Sequence, residues 1–232
     1  MILSAREVRK SFTQGAGDSL NDELEILKGV SLEVVTPQTV AIMGRSGCGK
    51  STFISLLAGL DAPTSGDVRI LDRDLAALSS RDLNAFRARH IGIVFQQFHL
   101  LDHLNALENV RLPLDLNRVE NPDQRAKEVL EKVGLGHRLE HFPETMSRGE
   151  QQRVAIARVL VMKPELLLAD EPTGSLDVKT GREVIDLLFQ LAATEKLALV
   201  MATHDPKVAE RCERRLYMDE GVLSDRRPDS FQ

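Results

Sequence analysis

Residues 39–57 read Thr39-Val-Ala-Ile-Met43, then Gly44-Arg-Ser-Gly-Cys-Gly-Lys-Ser-Thr52, then Phe53-Ile-Ser-Leu-Leu57. A short apolar run of β type meets a glycine-rich loop, and the loop opens into a helix-forming segment. That is the strand–loop–helix setting a phosphate-binding loop needs, and the loop fits G-x-x-x-x-G-K-[ST]. The glycines let the backbone wrap closely enough to aim its N–H groups at phosphate oxygens. The helix N-terminus behind them adds unpaired donors and a partial positive charge. On this reading Lys50 reaches the β- and γ-phosphates and Ser51 places its hydroxyl on Mg²⁺. Gly44, Arg45, Ser46, Gly47, Cys48, Gly49 and Thr52 complete the cradle. At average residue usage the pattern arises by accident in roughly one chain in a hundred of this size. The flanking strand and helix therefore carry the argument against the plain alternative, a glycine-rich turn capping an ordinary helix. Cys48, close to a helix N-terminus, is a candidate for a lowered pKa and for oxidation.

The 232 residues suffice for one substantial α/β domain and are too few for two, so a single domain over 1–232 is expected. A hydrophobic content of 42% beside 28% charged residues describes a soluble globular protein. The net charge of −5 disfavours a general electrostatic grip on nucleic acid, and no nucleic-acid partner is expected. No apolar run approaches the roughly 18–20 residues that span a bilayer, and Met1-Ile-Leu-Ser-Ala-Arg-Glu7 does not read as a signal peptide. Cys48 and Cys212 lie far apart and form no metal pattern, which suits a reducing cytosol. A cytoplasmic protein is expected.

In chain order, residues 2–12 read as an edge-type strand ending in Phe12, which is either a core residue or a flat face for a purine. Residues 13–21, with Gly15, Gly17 and Asp18, read as a flexible loop, and residues 24–35 as a second strand region. A helix over about 50–59, a turn over 61–66, a strand over 67–71 and an amphipathic helix over 75–89 follow. Ile91-Gly-Ile-Val-Phe95 is a buried strand that delivers Gln96. Residues 97–163 hold only helical patterns, interrupted at Pro113, Pro122, Gly134, Gly136 and Pro143, and read as a helical insertion in a sheet domain. Residues 166–170 and 197–203 are two further buried strands. Strands alternating with helices imply a mostly parallel sheet with its ligand at the strands' carboxyl ends, where Gln96, Asp170, Glu171 and His204 fall.

Leu166-Leu-Leu-Ala-Asp-Glu171 is an apolar strand ending in two acids. Asp170 is placed to hold Mg²⁺, and Glu171 to direct a water at the γ-phosphate as general base. The alternative is a pair of solvated acids at a strand end. His204 stands at a third strand end, which sets it apart from a lone surface histidine. His99/His103 and His137/His141 have helical spacing but no third ligand, so metal binding is not expected there. Met146-Ser-Arg-Gly-Glu-Gln-Gln-Arg153 reads as a capping box, with Ser147 as N-cap and Glu150 three residues on, opening a helix to Met162. A capped helix start beside a glycine is also an anion site, so structure and function coincide there.

Taken together, the phosphate loop, Gln96, Ser147-Arg-Gly-Glu150, Asp170-Glu171, Ser175-Leu-Asp177 and His204 resemble ABC-transporter ATP-binding subunits in order and approximate spacing. The likeness runs from Phe12 to about Leu223. Within that family the chain is similar to the branch holding LolD, MacB and YbbA. Gly59-Leu-Asp61, Phe95-Gln-Gln-Phe-His-Leu-Leu101, Leu107-Glu-Asn-Val110 and Asp170-Glu-Pro-Thr-Gly-Ser-Leu-Asp177 carry that likeness. Residues 134–141 and 209–214 look nearest to YbbA.

The resemblance implies a phosphate-loop ABC ATPase with an α/β fold: a mostly parallel core sheet, an N-terminal antiparallel β subdomain and a helical insertion. It implies ATP and Mg²⁺ as cofactors and Phe12 as the aromatic on adenine. Gln96 would sense Mg²⁺ and γ-phosphate, and His204 would contact the γ-phosphate. Ser147 and Gly149 would complete the opposite subunit's site in a head-to-tail dimer sandwiching two ATPs, with Asp177 bridging the sites. The partner implied is an integral membrane permease at the cytoplasmic face of the inner membrane. One departure stands out, because the family's signature has two glycines after the serine and leucine before it. Here Arg148 replaces the first glycine and Met146 the leucine, and the Arg148 side chain is expected to point away. A soluble ABC ATPase acting on ribosomes or DNA is the alternative class. A phosphate-loop GTPase or kinase is a third, but Asn-Lys-x-Asp is missing and residues 146–153 stay unexplained.

Overall fold

The computed structural model describes residues 1–13 and 23–228, so the loop expected over 13–21 lies, from residue 14 on, outside the described residues. In order come β1 (Leu3–Thr13), β2 (Glu23–Val34), β3 (Thr39–Met43), α1 (Lys50–Leu57), β4 (Ser65–Ile70), β5 (Arg73–Asp74), α2 (Ser80–His90) and β6 (Ile91–Phe95). Then follow α3 (Ala106–Leu116), α4 (Pro122–Lys132), α5 (Arg148–Leu160), β7 (Leu166–Asp170), α6 (Val178–Thr194), β8 (Ala198–Thr203), α7 (Pro206–Ala209), β9 (Arg214–Asp219) and β10 (Val222–Ser224). Two compact units result: Met1–Leu83 with Ala198–Gln232, and Asn84–Leu197.

The first unit holds an antiparallel sheet in the order β2-β1-β4-β5 and the strands β10-β9-β3-β8. β1 is a central strand, hydrogen-bonded to β2 on one side and β4 on the other. The edge position expected for it is corrected, because strand pairing is long-range and leaves no local mark. β3 runs parallel to both β8 and β9, and Val40, Ala41 and Ile42 are fully buried, as are residues 198–202 of β8. Continuous apolar runs are what a strand covered on both faces requires. Leu3, Val8, Leu27 and Ile70 fill the interior of the antiparallel sheet. The amphipathic helix expected over 75–89 is two pieces: Asp74 caps a short 3₁₀ turn at Leu75–Ala77, Leu78 is extended, and α2 starts only at Ser80.

The second unit holds the parallel pair β6 and β7 with α3, α4, α5 and α6. Leu166, Leu167, Leu168 and Ala169 are fully buried. Gly92 lets α5 approach β6, since a Cβ there would run into the Val159 side chain. One proline behaves otherwise than expected. Pro113 lies inside α3 rather than interrupting it, whereas Pro122 marks the expected break and starts α4 at a first-turn position where a missing N–H costs nothing. α3 survives its proline through an Asn105/Glu108 capping box and the burial of Val110 and Leu114. Gly134, with φ 79°, follows the end of α4, as a left-handed helix terminus demands.

Candidate nucleotide site

In the first unit, β3 ends at Met43 and the phosphate loop begins at once. Gly47 and Gly49 have φ of 81° and 107°, which L side chains rarely adopt, so the loop's path needs glycine there. Gly44 is required for a different reason. A Cβ on it would collide with the Cys48 Sγ and would meet the Met218 carbonyl at 2.7 Å. α1 starts behind Gly49 with no side-chain cap and no acid in its first turn, which leaves the positive end of the helix to the loop. Lys50 is only 5% exposed, and its Nζ donates to the carbonyls of Gly44 and Arg45 at 2.9 Å each. The ammonium is thus held at the loop's centre by backbone. Arg45, Ser46, Gly47 and Ser51 are exposed and Thr52 is half-buried.

β3 and β8 are in parallel register, with Met43 opposite Thr203. The next residues are Gly44 and His204, so the exposed His204 side chain stems from the strand end beside the phosphate loop. Phe12 is 44% exposed, which removes the core reading and leaves a flat aromatic surface. Lys10 Nζ sits 5.0 Å from the ring centroid and is also paired with Asp61 at 2.7 Å. Cys48 corrects the expectation of a lowered pKa. Burial pushes the thiol up and outweighs the opposing pull of Lys50, so the thiolate is scarce at neutral pH.

In the second unit, Phe95 lies opposite Asp170 in the parallel β6–β7 register, so Gln96 and Glu171 leave neighbouring strand ends together. Glu171 has φ 45°, an unusual backbone for a carboxylate-bearing residue, and is half-buried. Gln96 passes close to Gly174, where a Cβ would lie 2.7 Å from its Nε2, and its carbonyl accepts from Ser175 Oγ at 3.0 Å. Asp177 is exposed and caps α6, its carboxylate accepting from the backbone of Lys179 and Thr180. The Thr180 hydroxyl and those amides hold its pKa below the usual carboxylate range.

Ser147 caps α5 in a complete capping box. Its backbone N–H and its hydroxyl both donate to Glu150 Oε2 at 2.8 Å, while Glu150 N–H donates back to Ser147 Oγ at 3.3 Å. Arg138 Nε donates to the other Glu150 oxygen at 2.9 Å. Burial acts to raise the Glu150 pKa, but the Ser147 hydrogen bonds and Arg138 outweigh it and keep the group ionised. Gly149 is buried, and a Cβ on it would collide with Cγ2 of Thr180. Sequence reasoning passed over three supports. Gln152, fully buried, donates to the Phe95 and Pro172 carbonyls at 3.3 and 2.7 Å. Arg158 grips the Phe98 and His99 carbonyls at 3.0 and 2.7 Å, and Asn109 holds those of Leu101, Leu104 and Asn105. Gln152 and Arg158 reach carbonyls 20–60 positions away, and such pairings have no signature in a single sequence.

A lysine-bearing phosphate loop on one strand end, and an apolar strand ending in adjacent acids, define a phosphate-loop nucleotide-binding protein. Comparison with known proteins narrows that class. Residues 27–174 match the ABC transporter family. The chain is 45% identical to the lipoprotein-releasing system ATP-binding protein LolD of Pseudomonas fluorescens, over 96% of each chain. It is equally, 45%, identical to the uncharacterized ABC transporter ATP-binding protein YbbA of Escherichia coli K12, over 97% of each. A solved structure of the ATP-binding cassette MJ0796, a dimeric post-hydrolysis state bound to ADP and Pi, superposes with a TM-score of 0.87. It is 38% identical and covers 96% of this chain and 97% of that one. The chain belongs to the ABC transporter family and is an ATP-binding cassette, an ATPase.

Proposed function

We propose that this ATPase powers a separate integral membrane permease from the cytoplasmic face of the inner membrane, as a head-to-tail dimer sandwiching two ATP molecules. The work done is extraction or export of a lipoprotein, a lipid-linked or another hydrophobic substrate, or transmission of force to the periplasm. The observation that carries this reading is the likeness to LolD, at 45% identity over nearly the whole of both chains. The dimeric MJ0796 cassette supports the dimer. Among the described residues no helix is long and apolar enough to cross a membrane, so the spanning part is assigned to a partner.

The roles proposed are those the family resemblance implies for these positions. Lys50 and the loop amides hold the β- and γ-phosphates, and Phe12 stacks on adenine. Ser51, Gln96 and Asp170 offer a hydroxyl, an amide oxygen and a carboxylate, a hard all-oxygen set that fits Mg²⁺ shared with nucleotide phosphates. Mg²⁺ supplies charge neutralisation on those phosphates. Glu171 positions and deprotonates the attacking water, and His204 donates to the γ-phosphate. Ser147 and Gly149 meet the nucleotide of the opposite subunit, and Asp177 joins the two sites. Nucleotide bound across the interface shifts the population to the closed dimer because its affinity for that state is higher. Gln96 passes the nucleotide state to the permease.

The test is co-purification of tagged Glu171→Gln protein from native membranes with Mg-ATP. One integral membrane protein in stoichiometric amount is expected. Recovery of only soluble partners, ribosomes or DNA overturns the reading.

A further inference from the structure

Arg148 occupies the place where this chain departs from the two-glycine pattern, and its side chain has a definite partner. Nη1 donates to the Ser175 carbonyl at 3.1 Å. Ser175 lies two residues before Asp177, the cap of α6, and its own hydroxyl donates to the Gln96 carbonyl. The next residue along α5, Gly149, packs against Thr180 in the first turn of α6. The start of α5 therefore holds residues 175–180 at two adjoining points, one polar and one by packing. Residues 174–177 are also held by the Ser175 hydroxyl on the Gln96 carbonyl, by the Asp177 cap, and by two short turns, Gly174 N–H to the Glu171 carbonyl and Leu176 N–H to the Thr173 carbonyl, both 3.0 Å. A glycine at 148 would keep the packing contact and lose the polar one.

We propose that Arg148 is a positioning residue for ATP hydrolysis. It tethers residues 174–177 to the start of α5 within one subunit, and so fixes where Asp177 and the Gln96 carbonyl stand. The inference rests on the roles assigned above to Asp177 and Gln96. Arginine suits the task because its planar fork gives up less conformational freedom per hydrogen bond than the mobile ammonium of lysine. Methionine at 148 fills a similar length with no donor.

Two readouts on Arg148→Met and Arg148→Lys test this. Without nucleotide, amide hydrogen exchange at Gly174, Leu176 and Lys179 should quicken about threefold to tenfold in Arg148→Met, the range one net hydrogen bond commands. The kcat for MgATP should fall by a similar factor with KM unchanged, and Arg148→Lys should recover most of both. Unchanged exchange or unchanged kcat in Arg148→Met overturns the proposal. A raised KM at constant kcat overturns it too, since Arg148 then touches the nucleotide itself. Failure of the Asp177 assignment is seen separately, as wild-type turnover by Asp177→Ala, while the exchange readout reports on the tether alone.

Discussion

Gly149→Ala isolates the contact between α5 and α6. The position is helical and is not among the glycines with positive φ, so alanine meets no backbone objection. Relieving glycine of its unfolded-state entropy would by itself stabilise the helix by about 0.5–1 kcal/mol. Against that, the new methyl runs into Cγ2 of Thr180, and overpacking of this kind costs about 1–3 kcal/mol. The clash wins. The net cost is up to about 2.5 kcal/mol, so at about 2–4 °C per kcal/mol for a chain of this size thermal unfolding should shift down by up to roughly 10 °C. Thr180→Ser supplies the control, because it deletes the offending methyl and keeps the hydroxyl that bonds to Asp177. The double variant should unfold at or above the wild-type temperature, giving a coupling energy of about 1–3 kcal/mol in a double-mutant cycle. A double variant no more stable than Gly149→Ala refutes the packing argument. If stability returns but ATP turnover does not, Gly149 is needed for the opposite subunit as well.

Three further outcomes are expected. Lys50→Ala should weaken ATP binding at least about 100-fold, since charge-assisted hydrogen bonds are worth about 1.5–3 kcal/mol each; undiminished affinity by calorimetry would contradict the phosphate-loop assignment. Phe12→Ala should lose about 1–3 kcal/mol of ATP affinity, the worth of stacking one base on an aromatic ring, and leave inorganic tripolyphosphate binding unchanged. An equal loss for both ligands would remove the adenine contact. Cys212 is 6% exposed, and burial pushes its thiol up from 9.0 to about 11. A raised acid pKa means the folded state holds the proton longer, so this stability is present below the unfolded pKa and is lost as pH rises from about 9 to 11. The loss should reach about 2–3 kcal/mol. Thermal midpoints of Cys212→Ala should fall less steeply over that window than those of the wild type, and parallel slopes would exclude the thiol as the cause.

How far the sequence foretold this molecule depends on the range of the interaction involved. The phosphate loop, the acid pair at the end of β7 and the Ser147/Glu150 capping box are written in contiguous residues, and each forms as its local chemistry dictates. α6 is legible too, since buried Val184, Ile185, Leu188, Leu191 and Ala192 recur at helical spacing. The central place of β1 is not, because pairing on two sides is decided by strands far along the chain. Nor could Pro113 be placed, because capping and burial outweigh a lost backbone hydrogen bond only in the folded helix. The bond from Arg148 to residue 175 spans 27 positions, with no pattern to announce it. Phe12 needed the fold to show that its ring is exposed.

In the function proposed here, ATP joins two copies of this chain and Glu171 starts the reaction which parts them. The most direct test is the solution mass of Glu171→Gln with and without saturating Mg-ATP, alongside its turnover rate. Loss of a general base costs about 10²–10⁴-fold in rate. One chain without nucleotide, two chains with Mg-ATP, and turnover reduced by that factor are expected. A chain that stays single at saturating Mg-ATP, or that hydrolyses ATP at the wild-type rate, contradicts the proposed function.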